Sequence, residues 1–229
     1  NWMPRSDILR YEEIARIVGV MATMGIRKVR ITGGEPTVRA DILSLVEAIA
    51  ATPGIHDVAM TTNGHTLASL AAPLAHAGLN RINVSIDSLN PKRFAMLTRG
   101  GNLERVLRGI DAARNAGLTP IKLNAVLLDG RNDDELDDLI VYFSEYADVI
   151  QLRFIEYMPF EERRFKSVPA ARIRESIREK WTLQTDGARS PTDGPAQRYR
   201  IAETGLQVGF ISPLSEHFCA TCNRLRLMA

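Results

Sequence analysis

Five short segments of this chain alternate polar and apolar residues, and helical segments separate them. In Val29-Arg30-Ile31-Thr32, Arg30 and Thr32 fall on one side. In "VAMTTNG", Thr61 and Asn63 share a face. In "RINVSID", Asn83, Ser85 and Asp87 oppose Ile82, Val84 and Ile86. In "IKLNAV", Lys122 and Asn124 oppose Ile121 and Leu123. In "IQLRF", Gln151 and Arg153 oppose Leu152 and Phe154. Side chains of a strand alternate between faces, so each segment reads as a strand with one polar and one apolar side.

The intervening segments have helical spacing. Ile14, Ile17, Val18, Met21 and Met24 place a helix over residues 7–24, closed by Gly25. Further helices are expected over 39–51, 67–77, 91–97, 102–116 and the "NDDELDDLIVYFSEY" run. Strand–helix repetition predicts a parallel sheet with helices packed outside it, as a barrel or as an open doubly wound sheet. Such strands are normally apolar on both faces. A buried polar group without a partner costs about 1–3 kcal/mol. A whole polar face therefore needs water or a polar ligand, and Arg30, Lys122 and Arg153 on it favour an anion such as a polyphosphate. An antiparallel sheet with one solvated face is the alternative reading.

After Pro159 the texture changes. A helix is expected over 168–180, a loop rich in Gly, Pro and Asp over 186–197, and a hairpin turning at Thr204-Gly205. A boundary near Arg163 gives two units, 1–163 and 164–229.

Composition narrows the classes of function. The 229 residues carry 29 Lys and Arg against 27 Asp and Glu, a net charge of +2, which gives no reason to expect a nucleic-acid surface. No stretch has the run of apolar residues that a membrane helix needs, and no signal peptide is visible. The only two cysteines, three apart, cannot staple a fold of this size, so a cytoplasmic location is expected. The chain opens on Asn1 rather than Met, which suggests that it begins inside a longer gene product.

Two motifs carry chemistry. "ITGGEPT" follows the first strand, where Gly33 and Gly34 permit close backbone approach to a ligand and Glu35 could accept from an ammonium group. It is neither the G-x-G-x-x-G dinucleotide fingerprint nor a P-loop. "EHFCATCNRLRLMA" holds Cys219 and Cys222 as C-x-x-C, the spacing of a shared metal or a redox pair. With His217 the cysteines offer three zinc ligands, one short of a structural zinc site. A thioredoxin-like role needs the motif at a helix start, whereas here a hairpin precedes it.

"VRITGGEPTVRAD", "TTNG", "INVSIDSL", "QLRFIEYM", "DGPAQ" and "FCATCNRLR" occur in the order seen in the GTP 3′,8-cyclases of the radical S-adenosylmethionine (SAM) superfamily, which the chain resembles over residues 9–227. The resemblance implies a partial (β/α)6 TIM-like barrel, with its first strand missing, and a C-terminal α+β cluster-binding region. It implies two [4Fe–4S] clusters. One cleaves SAM, and the 5′-deoxyadenosyl radical abstracts a hydrogen from C3′ of GTP, after which C8 of guanine is attacked. The product, a 3′,8-cyclised dihydroguanosine triphosphate, feeds molybdenum cofactor synthesis. The second cluster holds the guanine end of GTP.

Carried over by motif, Gly34, Glu35, Ser85 and Met158 meet SAM. Arg30, Thr61, Lys122, Arg153 and the Arg224-Leu225-Arg226 run meet GTP. Cys219 and Cys222 ligate the second cluster, whose third cysteine falls beyond Ala229. The C-x3-C-x2-C motif of the SAM cluster is absent, so the polypeptide alone is expected to be inactive as a cyclase. A flavodoxin or ferredoxin as reductant, the downstream cyclic pyranopterin monophosphate synthase and a homodimer are the partners this implies. Another radical SAM enzyme, acting on a different nucleotide or a peptide, and an inactive GTP- or metal-binding remnant are the alternatives.

Overall fold

The computed structural model describes residues 8–159, 165–187, 194–216 and 224–227. Strands and helices alternate from the start: α1 (Tyr11–Thr23), β1 (Lys28–Ile31), α2 (Ile42–Ala50), β2 (Asp57–Thr62), α3 (Leu67–His76), β3 (Arg81–Ser85), α4 (Pro91–Leu97), α5 (Leu103–Asn115), β4 (Ile121–Val126), α6 (Leu136–Ser144) and β5 (Ile150–Ile155). Then come α7 (Ala170–Arg178), β6 (Leu183–Thr185), β7 (Gln197–Ile201) and β8 (Gln207–Ile211).

The strands form one eight-stranded sheet in the order β1-β2-β3-β4-β5-β8-β7-β6. The first five pair in parallel with their sequence neighbours, as crossover helices require. The open antiparallel alternative is thereby removed for this part. The expected hairpin is present as β7 and β8, antiparallel, and its β8 strand also lies parallel to β5. Residues on either side of the boundary expected near Arg163 therefore share one sheet. The edge strand β6 pairs antiparallel with β7.

Helix ends follow local chemistry. Gly25 takes φ 97° just after α1, a conformation that costs glycine little. Asn90 caps α4 by accepting from the Lys92 and Arg93 amides, with Pro91 at the first helical position. Asn102 caps α5 through the Arg105 amide. Several helices start later than the sequence pattern suggests, two of them for a visible local reason. Pro36–Val38 is a short 3₁₀ turn and Asp41 is left-handed at φ 54°, so α2 begins only at Ile42. The first turn of the acidic run, Asp133–Glu135, is also 3₁₀, because the Glu135 carboxylate is drawn to the Ser88 hydroxyl and the Leu89 amide.

The apolar strand faces pack under the helices. Val58, Met60, Ile82, Val84, Ile121, Leu123, Leu152, Phe154, Val208 and Phe210 join one core with Leu67, Leu74, Val106, Ile110, Ile140 and Phe143. At α3 and α5 the approach is close enough to demand glycine. A Cβ on Gly109 would lie 2.7 Å from the Gly64 carbonyl oxygen and 3.0 Å from the Leu67 Cβ. Gly109→Val should therefore push α5 off α3 and lower stability by about 1–3 kcal/mol in urea unfolding. Among the described residues no helix is long and apolar enough to cross a membrane.

Candidate functional site

The face of the sheet opposite this core carries the polar residues. Parallel register places Thr61 beside Asn83, Asn83 beside Lys122, and Lys122 beside Gln151. The next row joins Ser85, Asn124, Arg153 and Gly209. Arg198 of β7 stands opposite Gly209, extending the row. Sequence alternation found most of this face and missed Arg81 and Arg198, although both keep the same two-residue period (Arg81 with Asn83, Arg198 with Arg200).

The face is strongly cationic. Burial pushes the Lys122 ammonium down to about 7, with Arg153, Arg81 and Arg30 adding repulsion. Burial likewise brings Arg153 down to about 9, helped by Arg30, Arg81, Arg198 and Arg224. The more exposed Arg30 is lowered by the same two causes, desolvation first and then Arg81 and Arg224. Asp57 offsets the repulsion at both Lys122 and Arg30. Its carboxylate is itself gripped by Arg81, with Nε at 2.8 Å and Nη2 at 2.6 Å. Crowded positive groups with one paired acid store a repulsion that an entering polyanion relieves.

Arg153 has room because its neighbour lacks a side chain. A Cβ on Gly209 would meet Arg153 Cγ at 3.4 Å and Ala196 Cβ at 3.3 Å. Gly209→Val should displace the guanidinium and weaken polyphosphate binding about tenfold, read by calorimetry.

The carboxyl ends of the strands form the rim, where sites of barrel proteins lie. The Gly33-Gly34 turn follows β1, and nothing stands within 4 Å of a Cβ placed on Gly34. Ser85 is exposed at the end of β3, and Met158 is 40% exposed just after β5. The buried Glu156 carboxylate fixes the neighbourhood of Met158 by accepting from the Leu214 and Ser215 amides, both at 2.9 Å.

Glu35 is placed differently from the ammonium acceptor that its sequence suggests. Its Oε1 accepts from the Thr37 amide at 3.1 Å, the Thr37 hydroxyl at 2.6 Å and the Thr62 hydroxyl at 2.8 Å. Its Oε2 accepts from the Asn63 amide at 2.6 Å. Thr66 donates in turn to the Thr37 hydroxyl. The carboxylate thus bolts the glycine turn to the end of β2, and capacity for a further donor remains on Oε2 alone. Asp87, expected on the polar face, is also engaged, with Oδ1 accepting the Val126 amide at 2.8 Å. Burial raises its pKa.

Arg224, Leu225 and Arg226 are exposed. Arg224 lies near enough to Arg30 and Arg153 to repel both. Cys219, Cys222 and His217 lie outside the described residues. Among the described residues no group of His, Cys, Asp and Glu could hold a metal ion.

The buried face also has unmet polar capacity. The carboxamide oxygens of Asn83 and Asn124 are buried without a hydrogen-bond partner among the described residues. A polar face with unpartnered acceptors, beside an open glycine turn, leaves hydrogen-bonding capacity for a polar ligand.

Comparison with known proteins identifies the family and the fold. Residues 1–143 match the radical SAM superfamily, and residues 150–229 match the family described as Molybdenum Cofactor Synthesis C. The GTP 3′,8-cyclase of Pseudomonas syringae pv. syringae is 47% identical over 235 residues, covering 99% of this chain and 69% of that protein. The GTP 3′,8-cyclase of Thermodesulfovibrio yellowstonii is 42% identical over 232 residues, covering 100% of this chain and 71% of that protein. Among solved structures, Streptococcus suis SuiB bound to S-adenosylmethionine aligns with a TM-score of 0.62 at 19% identity, over 78% of this chain and 42% of that one. A radical SAM methyltransferase from Sphaerobacter thermophilus aligns with a TM-score of 0.58 at 16% identity, over 74% of this chain and 54% of that one. At those identities the two structures speak to the fold, an open partial barrel of the radical SAM kind.

Proposed function

The chain belongs to the GTP 3′,8-cyclase family of the radical SAM superfamily, and on that premise we propose that it binds GTP in the polar lumen and joins C3′ of the ribose to C8 of guanine for molybdenum cofactor synthesis. The observation that carries this reading is the crowding of Lys122, Arg153, Arg30 and Arg81 on one face of the sheet. Such an array suits a triphosphate, which is compact, highly charged and rich in acceptor oxygens.

In this reading Arg30, Lys122 and Arg153 hold the triphosphate, and Thr61 lies beside them on the same face. Arg224, Leu225 and Arg226 meet the nucleotide from the C-terminal segment. Gly34, Ser85 and Met158 line the SAM end. Glu35 fixes the turn on which Gly34 sits and offers Oε2 to the methionyl ammonium. Bound SAM, reduced through an iron–sulfur cluster, supplies the hydrogen-abstracting chemistry. The chain's part is to align C3′ with that group and to replace water around the charges.

Cys219 and Cys222 are assigned to a second [4Fe–4S] cluster at the guanine end. Residues 1–163 act as the barrel portion and 164–229 as the substrate and second-cluster portion of a continuous sheet. A cytoplasmic enzyme drawing electrons from a flavodoxin or ferredoxin, handing its product to cyclic pyranopterin monophosphate synthase and working as a homodimer, completes the proposal.

Calorimetry with GTP, GMP and guanosine tests the lumen assignment. The charge array predicts that GTP binds at least about tenfold more tightly than GMP, with guanosine weaker still. Equal binding of the three would remove the triphosphate from the lumen.

A further inference from the structure

Two carboxamides at mid-height of the lumen have no role in the account so far. Asn83 is 1% exposed, and its Nδ2 donates to the Thr61 hydroxyl at 3.0 Å. Among the described residues its buried Oδ1 has no hydrogen-bond partner, and neither has the Oδ1 of Asn124. The two residues are diagonal neighbours on one face, because Asn83 pairs with Lys122 and Ser85 pairs with Asn124.

Their height on the sheet is informative. Along β3 the face reads Arg81, Asn83, Ser85 from the amino end to the carboxyl end, and along β4 it reads Lys122 and then Asn124. On both strands a cation comes first and a neutral amide follows, nearer the rim. A buried acceptor oxygen left without a donor is costly. Phosphate oxygens cannot relieve that cost, since they accept and do not donate. A hydroxyl can.

We propose that Asn83 and Asn124 form a hydroxyl-accepting pair that recognises the 2′,3′-diol of a ribose between the triphosphate end and the rim, and so selects ribonucleotide over deoxyribonucleotide while turning C3′ toward the rim. This rests on the GTP reading above. Two riboses enter such a lumen, those of the nucleoside triphosphate and of SAM. The inference commits to the triphosphate's ribose, because on β4 Asn124 directly follows Lys122, a cation assigned to the phosphates, and Asn83 is paired across the sheet with that same lysine. The pair are positioning residues, acting through hydrogen bonds to the sugar.

The test is calorimetric binding of GTP, 2′-deoxyGTP, 3′-deoxyGTP, inorganic triphosphate and SAM to the full-length protein and to its Asn83→Ala and Asn124→Ala forms. Thermal melts check that each variant folds. Asn124→Ala serves as the second probe because Asn83 also supports Thr61. In the unaltered protein GTP should bind about 10- to 100-fold more tightly than either deoxy analogue. In the variants that ratio should fall toward one, with inorganic triphosphate and SAM unaffected. Ratios unchanged in folded variants would overturn the inference and leave the GTP reading standing. So would an equal loss for GTP and inorganic triphosphate, or a loss confined to SAM. Failure of the unaltered protein to bind GTP at all would instead overturn the GTP reading, and this inference with it.

Discussion

GTP affinity should fall by up to about tenfold per pH unit above pH 7, and Lys122→Met should abolish the part of that slope lying between pH 7 and 9. Lys122 in the empty lumen loses its proton at about 7, because burial and the Arg153, Arg81 and Arg30 charges disfavour the ammonium. A bound triphosphate supplies the missing counter-charge, so the lysine must take up a proton as the nucleotide enters. Each unit of rising pH makes that uptake harder until the higher pKa of the complex is reached. Arg153, lowered to about 9, continues the trend at higher pH. At neutral pH Lys122→Met should itself weaken GTP binding about 100-fold, the usual scale for truncating one partner of a desolvated charge pair. Calorimetry in buffers of different ionisation heat reads both affinity and proton uptake.

The same groups set a stability trend of opposite sense in the empty protein. An unfolded lysine holds its proton up to its ordinary value of 10.5, whereas native Lys122 releases it at about 7. Between those values the unfolded state binds more protons, so stability should rise with pH across that window. Saturating GTP should cancel the rise.

Glu35→Ala should be the most damaging change at the rim. It strands four donors at once, on the Thr37 amide, the Thr37 and Thr62 hydroxyls and the Asn63 amide. Hydrogen bonds to a carboxylate are stronger than neutral ones, so a loss of about 3 kcal/mol is expected. The freed Gly33-Gly34 turn should lose SAM affinity by more than about tenfold, since an unfixed turn must be ordered on binding. Glu35→Gln should fall between, because its oxygen can replace Oε1 while its amide group meets the Asn63 N–H donor. Thermal melts and SAM titration separate the two effects. Undiminished SAM binding in Glu35→Ala would show that the turn is held by other means.

These residues show which parts of the protein can be read in its sequence. Period-two alternation exposed the polar face because it is a local property, visible in "RINVSID" or "IKLNAV" without any partner. The hairpin was visible for the same reason. That β8 pairs with β5, and that β6 adds an edge, depend on contacts between distant segments and leave no local trace. Asp57 and Arg81 lie 24 residues apart, and Glu35 reaches Thr62 across 27. In the sequence Glu35 suggested a ligand acceptor, and the structure adds a second part, in which its carboxylate ties two backbone amides and two threonine hydroxyls together. The orphaned oxygens of Asn83 and Asn124 are likewise a property of the packed lumen.

The measurement that bears most directly on the account is anaerobic turnover of the full-length protein, reconstituted with iron and sulfide, using GTP deuterated at C3′. The account predicts GTP-dependent cleavage of SAM, deuterium in the 5′-deoxyadenosine, and a nucleotide product joined between C3′ and C8. Cleavage indifferent to GTP, 5′-deoxyadenosine without deuterium, or equal reaction with a peptide or another nucleotide would contradict it.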